Sequence, residues 1–385
     1  MEPQIDDEII SFDTLVRDAE RLCERRSREA LPLIERAGTY ASVSENLLHL
    51  STVKHLKAYY HSVVLNEYDE CIHIITDILQ ALDPDELNAI GPKLFMTLGN
   101  AYQLKGDVFE AQGSYLRGIR LLEAKETRTE KERELQASYY YNMTLSLASS
   151  QLKISSVEYL DKAIEIYKEL NATRLLARCY VLYSGSYEES GDLESAEQML
   201  EQALIINKQN NDSYSIALAE ANLGIINNRM GRYDRACGYL SQTLTYYQAN
   251  ELYFELAMVQ TALGECHFKT GKYQEGLEII EEAEKVLTAI DNKQELSKLY
   301  KTAAALLYDA GEYKKGYEYL NKHNESINSF FDIEKTNALA RAKREFESEQ
   351  QEKESILLRQ KNEEIKKYVH KLEGSNNSLK QFAHV

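Results

Sequence analysis

The sequence predicts an all-α fold, a superhelix of helical hairpins followed by a long coiled-coil helix. Three observations carry that reading. A turn-plus-helix segment recurs with a period of 40 residues, the signature of a helical-repeat array. All four prolines, Pro3, Pro32, Pro84 and Pro92, lie in the first quarter of the 385 residues, and none follows Lys93. A sandwich or α/β fold of that length would use proline in its turns. Beyond Asn328 apolar residues recur every seven positions within a charged stretch, the spacing of a coiled coil.

Taken in chain order, residues 1–46 read as a capping helical hairpin, with apolar residues at helical spacing in FDTLVRDAERLCERRSREALPLIERAG. Residues 47–328 hold the repeat. GDLESAEQMLEQAL, GRYDRACGYLSQTL, GKYQEGLEIIEEAE and GEYKKGYEYLNKHN begin at Gly191, Gly231, Gly271 and Gly311, and a related turn falls at Gly106. Glycine-free versions begin at Asn66 and Gln151, so the series has one irregular step of 45, where KETRTEKERE is inserted. Each unit reads as helix, turn, helix, about seven or eight hairpins in all. The turn glycine supplies the positive φ that ends the first helix. Small residues five positions after it (Ala111, Ala196, Ala236, Gly276), and Leu-Gly pairs seven before it (Leu98-Gly99, Leu223-Gly224, Leu263-Gly264), let paired helices approach closely. These offsets resemble the tetratricopeptide repeat, lengthened from the usual period to 40. Tyr68, Tyr233, Tyr273 and Tyr313, two residues after each turn position, are expected to pack between helices.

In residues 329–373 the sequence becomes a connector. Leu358, Ile365, Leu372 and Leu379 form one heptad seam, and Tyr368 and Phe382 fall in the second, which Lys361 and Ser375 weaken. A parallel homodimer through this segment is the expectation, with a break or cap at Gly374.

Composition bounds the function. With 45 Lys+Arg against 62 Asp+Glu, a net charge of −17 and no basic block, nucleic-acid binding by the bulk of the chain is not expected. No apolar run reaches membrane-spanning length, and the acidic start MEPQIDDEIISF does not read as a secretory signal. Five scattered cysteines suit a reducing cytoplasm. No catalytic constellation and no cofactor site is read here. GECHFKTGKY has six residues between its glycines where a phosphate loop needs four, with Tyr after the Lys. No cysteines take Cys-x-x-Cys spacing, and His49, His55 and His61, six residues apart, turn by about 240° per step and share no helix face.

Recognition remains. First-helix positions at offsets −13, −10, −6, −3 and −2 from each turn should line a concave groove. They include Tyr60, Asn100, Gln103, Tyr141, Arg178, Asn228, Arg229, Lys269, Lys301 and Tyr308. Asn and Gln suit a peptide backbone, and Arg and Lys a carboxylate. Glu188, Glu189 and Glu265 are interspersed, so a peptide or protein helix is a better match than a dedicated carboxylate clamp.

The stretch from Phe331 to Asn362 resembles the connector that follows the repeats in tetratricopeptide-repeat sensor histidine kinases. In residues 374–385, SNNSLKQFAHV resembles the start of their dimerisation and phosphoacceptor helix, with Leu379, Phe382, Ala383 and Val385 matching Leu-x-x-Phe-Ala-x-Val. The resemblance implies the sensory region of a two-component kinase, its phosphorylated histidine expected beyond Val385 and not at His384. ATP, Mg and a response regulator would then belong to the kinase part, not to this chain. Two alternatives stay open: a stand-alone receptor resembling the Rap-type phosphatase and quorum-peptide family, or a scaffold that does not switch.

Overall fold

The computed structural model describes residues 11–44, 46–148 and 156–328, together with Lys361. Every regular element among these residues is helical. The chain divides into two compact units, Met1–Met230 and Gly231–Val385.

In the first unit, α1 (Phe12–Glu24) and α2 (Ala30–Ser44) form the N-terminal hairpin. Ser11 caps α1 by accepting the Thr14 N–H at 3.3 Å, and Asn46 caps α3 (Leu47–Tyr60) by accepting from Leu48 and His49. The α3 helix runs into a single π turn, His61–Leu65, which Asn66 closes at φ +58. Then come α4 (Tyr68–Ala81) and α5 (Pro84–Lys105). Asp83 and Glu86 form a capping box at the start of α5, and Pro84 occupies the first turn, where its missing N–H costs nothing. The unit continues with α6 (Val108–Glu123), α7 (Glu130–Ala148), α8 (Val157–Glu169), α9 (Thr173–Ser190), α10 (Leu193–Gln209) and α11 (Ser213–Arg229).

The inserted KETRTEKERE becomes the α6–α7 connection and the first turn of α7. Thr129 and Glu132 each accept the other's backbone N–H, and Lys125 Nζ lies 2.5 Å from Glu132. Lys125, with the Thr129 amide, holds the Glu132 carboxyl down at about 2.

The second unit contains α12 (Tyr233–Ala249), α13 (Tyr253–Lys269), α14 (Tyr273–Ala289), α15 (Lys293–Asp309) and α16, helical over 313–328. Its core joins Leu277, Ile280, Ala283 and Leu287 of α14 to Leu296, Leu299 and Ala303 of α15.

The five expected turn glycines, Gly106, Gly191, Gly231, Gly271 and Gly311, all lie in the left-handed region at φ +75 to +88. Gln151 falls outside the described residues. A second series went unread in the sequence: Asn171, Asn211, Glu251 and Asp291 also take positive φ, between +50 and +55. They sit where each second helix gives way to the next first helix. Asn and Asp tolerate this conformation through local hydrogen bonding, whereas Glu does not.

The small residues at plus five, Ala111, Ala196, Ala236 and Gly276, are all buried. Between α13 and α14 the backbones nearly touch. A Cβ on Gly276 would stand 2.8 Å from the Gly264 carbonyl oxygen and 2.7 Å from the Phe268 ring. At Gly99, the ring of Tyr115 fills the space a Cβ would need. The tyrosines after the turns meet the neighbouring helix to different degrees. Tyr68 and Tyr233 are half-buried, but Tyr273 and Tyr313 are exposed, with ring contacts to Phe268 and Tyr308 at the end of the preceding helix. The heptad seam, Leu358, Ile365, Tyr368, Leu372, Leu379 and Phe382, lies outside the described residues.

Candidate functional site

The first helices of the first unit are joined to one another by polar and aromatic side chains. From α3 to α5, His55 Nε2 and Thr97 Oγ1 are 2.8 Å apart. From α5 to α7, Asn142 Nδ2 donates to Asn100 Oδ1 at 2.9 Å, and the same oxygen accepts the Tyr115 hydroxyl at 2.9 Å. The guanidinium of Arg178 on α9 lies over the Tyr141 ring of α7, 4.9 Å from its centroid. Between α9 and α11, Arg229 is ion-paired with Glu188. Each link spans 37 to 42 residues, one repeat.

Four of the residues picked out by the sequence offsets, Asn100, Tyr141, Arg178 and Arg229, take part in these links between first helices. The structure brings Tyr141 and Arg178 together directly. Asn142, the partner of Asn100, was not anticipated. It sits at an offset of −9, one residue from the one that picked out Tyr141.

Tyr60 is a correction. It is 4% exposed, packed among Ala19, Cys23, Ala30, Ile34 and Leu56, because α1 and α2 cover that part of α3. It presents no surface to a ligand. Gln103 is half-buried near the end of α5. Asn228 is 6% exposed, and its Oδ1 has no hydrogen-bond partner. Its neighbour Asn227 turns towards α10 and donates to Glu197 at 3.1 Å and to the Leu223 carbonyl at 2.8 Å.

In the second unit, Lys269 on α13 stands 3.4 Å from Asp309 on α15. Lys301 is exposed on α15, and Tyr308 is exposed with its ring edge-on to Tyr313. Arg229 and Lys269 therefore already face carboxylates of neighbouring first helices. An incoming carboxylate would have to compete with Glu188 or Asp309 for them.

Burial pushes the thiols of Cys71, Cys179 and Cys266 up to about 12, and that of Cys23 to about 11. They stay protonated, whereas nucleophilic attack and metal binding need thiolate. Among the described residues, no three or more His, Cys, Asp or Glu side chains are grouped to hold a metal ion, and no helix is long and apolar enough to cross a membrane. A shallow depression of about 570 Å³ is lined by His61, Asn66, Glu67, Tyr68, Asp69, Glu70 and Lys105. Its polar groups largely satisfy one another: His61 to Glu67 at 2.7 Å, Lys105 to Asp69 at 2.5 Å.

Residues 215–289 match the tetratricopeptide repeat family. No curated protein sequence matches the chain. Solved structures do resemble it. The apo form of RapI superposes with a TM-score of 0.64 at 14% identity, covering 83% of this chain and 98% of RapI. A Rap protein complexed with competence and sporulation factor gives 0.55 at 17% identity, covering 84% and 98%. NprR in complex with its cognate peptide NprX gives 0.57 at 16% identity, covering 83% and 89%. At such identities the likeness establishes the fold: an all-α, tetratricopeptide-type array of helical hairpins.

Proposed function

We propose that this chain is a ligand receptor of the tetratricopeptide type, taking a peptide or an extended protein segment against the first-helix row of its first unit. The observation that carries the reading is the chemistry of that row. Consecutive first helices present amides (Asn100, Asn142), a guanidinium stacked on a phenol ring (Arg178, Tyr141) and an ion pair (Arg229, Glu188), one group of binding chemistry per repeat. Amides bond both to the N–H and to the C=O of a peptide backbone, and stacked or paired cations orient its carboxylates. Peptide-bound NprR and the factor-bound Rap protein support the reading by analogy of fold.

The finer proposal is that the receptor is the cytoplasmic sensory region of a two-component histidine kinase. Ligand binding would then pass through a dimeric coiled coil after residue 328 to a kinase part that uses ATP and Mg and phosphorylates a response regulator. The tail motif Leu379, Phe382, Ala383, Val385 supports it. The rival is a stand-alone Rap-like receptor, favoured by the match over 98% of RapI. A histidine box and an ATP-binding domain encoded directly after codon 385 supports the kinase reading; a stop codon there sinks it. Receptor function itself is tested by selecting peptides from a random library on the full chain. Failure to enrich any peptide that binds the folded protein would contradict it.

A further inference from the structure

Six residues after its turn position, a second helix meets the first helix of the next repeat. On α10 the residue there is Glu197, which accepts from Asn227 of α11 at 3.1 Å. On α14 it is Leu277, which shares a core cluster with Leu306 of α15. On α12 it is Cys237, and one period before Leu306 stands Cys266 of α13. Two cysteines thus occupy the places that two leucines fill in the following repeat, and their side chains are hydrogen-bonded to each other. A second contact seats Cys266 against α12. Its Sγ donates to the carbonyl oxygen of Tyr233 at 3.1 Å, one helical turn before Cys237. Both helices lie in the second unit, and both thiols are free. They differ in access, since Cys266 is fully buried and Cys237 half-buried. Cys23, Cys71 and Cys179 are buried on α1, α4 and α9 of the first unit.

We infer that Cys237 and Cys266 form an oxidative modification site, a dithiol that a hydroperoxide converts to a disulfide joining two consecutive repeats. Solvent reaches the Cys237 sulfur, which attacks one peroxide oxygen. The O–O bond breaks, the leaving hydroxide takes the thiol proton as water, and Cys237 becomes a sulfenic acid. The Cys266 sulfur, already in contact, then attacks the Cys237 sulfur. The S–S bond forms as the S–O bond breaks, and the departing hydroxide takes the Cys266 proton as a second water. Two thiol protons and two electrons have then passed to the peroxide. Burial keeps Cys266 protonated until that last step, so Cys237 is the sulfur oxidised first. The disulfide ties α12 to α13 and holds their two repeats at one spacing, a covalent staple where the next repeat has only apolar packing.

No Lys or Arg lies between Arg235 and Lys269, so trypsin leaves both cysteines in one peptide, residues 236–269. The full chain is treated with hydrogen peroxide, its remaining thiols are alkylated in denaturant, and the digest is read by mass spectrometry. Disulfide formation predicts that this peptide carries no alkyl group and has lost two hydrogens. Dithiothreitol added before alkylation should reverse both changes, and Cys23, Cys71 and Cys179 should be alkylated as in the untreated chain. In Cys237→Ser, Cys266 should be alkylated in full after the same treatment. Sulfinic or sulfonic acid at Cys237 beside an alkylated Cys266 would overturn the inference, because the two sulfurs would then not meet. So would two copies of the peptide linked to each other, or both cysteines alkylated after treatment, the result expected of thiols that only pack.

Discussion

Two alanine substitutions at helix glycines of the second unit should act in opposite directions. Gly276 and Gly238 both lie inside second helices, α14 and α12, and replacing either by alanine gains about 0.5–1 kcal/mol of helix propensity. At Gly238 a Cβ would meet nothing within 4 Å, so the gain stands alone. At Gly276 it would press 2.7 Å from Phe268 Cδ2 and 2.8 Å from the Gly264 carbonyl oxygen. Ordinary contact then requires α13 and α14 to separate by roughly 0.5–1 Å, and overpacking of this sort costs about 1–3 kcal/mol. The obstacle is partly backbone, which cannot swing aside. Gly276→Ala should therefore lower stability by about 1–2 kcal/mol net while Gly238→Ala raises it by about 0.5–1. Urea unfolding followed by far-ultraviolet circular dichroism reads both as midpoint shifts of opposite sign at similar slope. A midpoint raised equally by both would mean that α13 and α14 do not meet through Gly264 and Gly276.

Three further outcomes follow from the structure. Burial, with Lys93 nearby, lowers His55 to about 4 in the folded chain against the ordinary 6.5. Its contribution is complete above pH 6.5 and is lost as pH falls towards 4, by at most about 3 kcal/mol. His55→Gln should flatten the stability profile across that window, and an unchanged slope would refute the assignment. Gly271→Ala forces a side chain into φ +83 and should cost about 1–2 kcal/mol. Glu251→Gly removes a side chain from φ +55 and should stabilise by up to about 1 kcal/mol after glycine's own entropy is subtracted. Thermal melts of both test the claim that two turn series alternate along the chain. Tyr115→Phe deletes the hydroxyl donated to Asn100 at 2.9 Å and should cost about 1 kcal/mol; no loss would mean that water replaces the bond.

The repeat was legible because its constraints are local and periodic. A φ of +75 to +88 favours glycine at Gly106, Gly191, Gly231, Gly271 and Gly311, and close helix approach favours small residues at Ala111, Ala196, Ala236 and Gly276. The second turn series was harder to see because Asn, Asp and even Glu serve there, so no single residue type repeats. Its trace was nonetheless present as Asn171, Asn211 and Asp291 at steps of 40 and 80. Tyr60 was misread because the repeat offsets carry no information about α1 and α2, which belong to no repeat and bury it. Partners across helices, such as Asn142 for Asn100 and Glu188 for Arg229, depend on side-chain direction as well as on spacing. Offsets placed the rows but could not pair them.

The central claim is that the first-helix row of the first unit binds a peptide. It is tested most directly with a labelled peptide selected from a random library on the full chain, titrated by fluorescence anisotropy into the wild type, Arg178→Ala and Arg229→Ala. Arg229 is exposed and its ion pair with Glu188 lies at the surface, so Arg229→Ala should leave folding intact, and its effect on affinity reports the ligand. Loss of one ligand hydrogen bond or stacked cation predicts weakening by about tenfold or more in each variant, the equivalent of about 1.4 kcal/mol. Equal affinity for all three proteins would contradict the claim and place the ligand elsewhere.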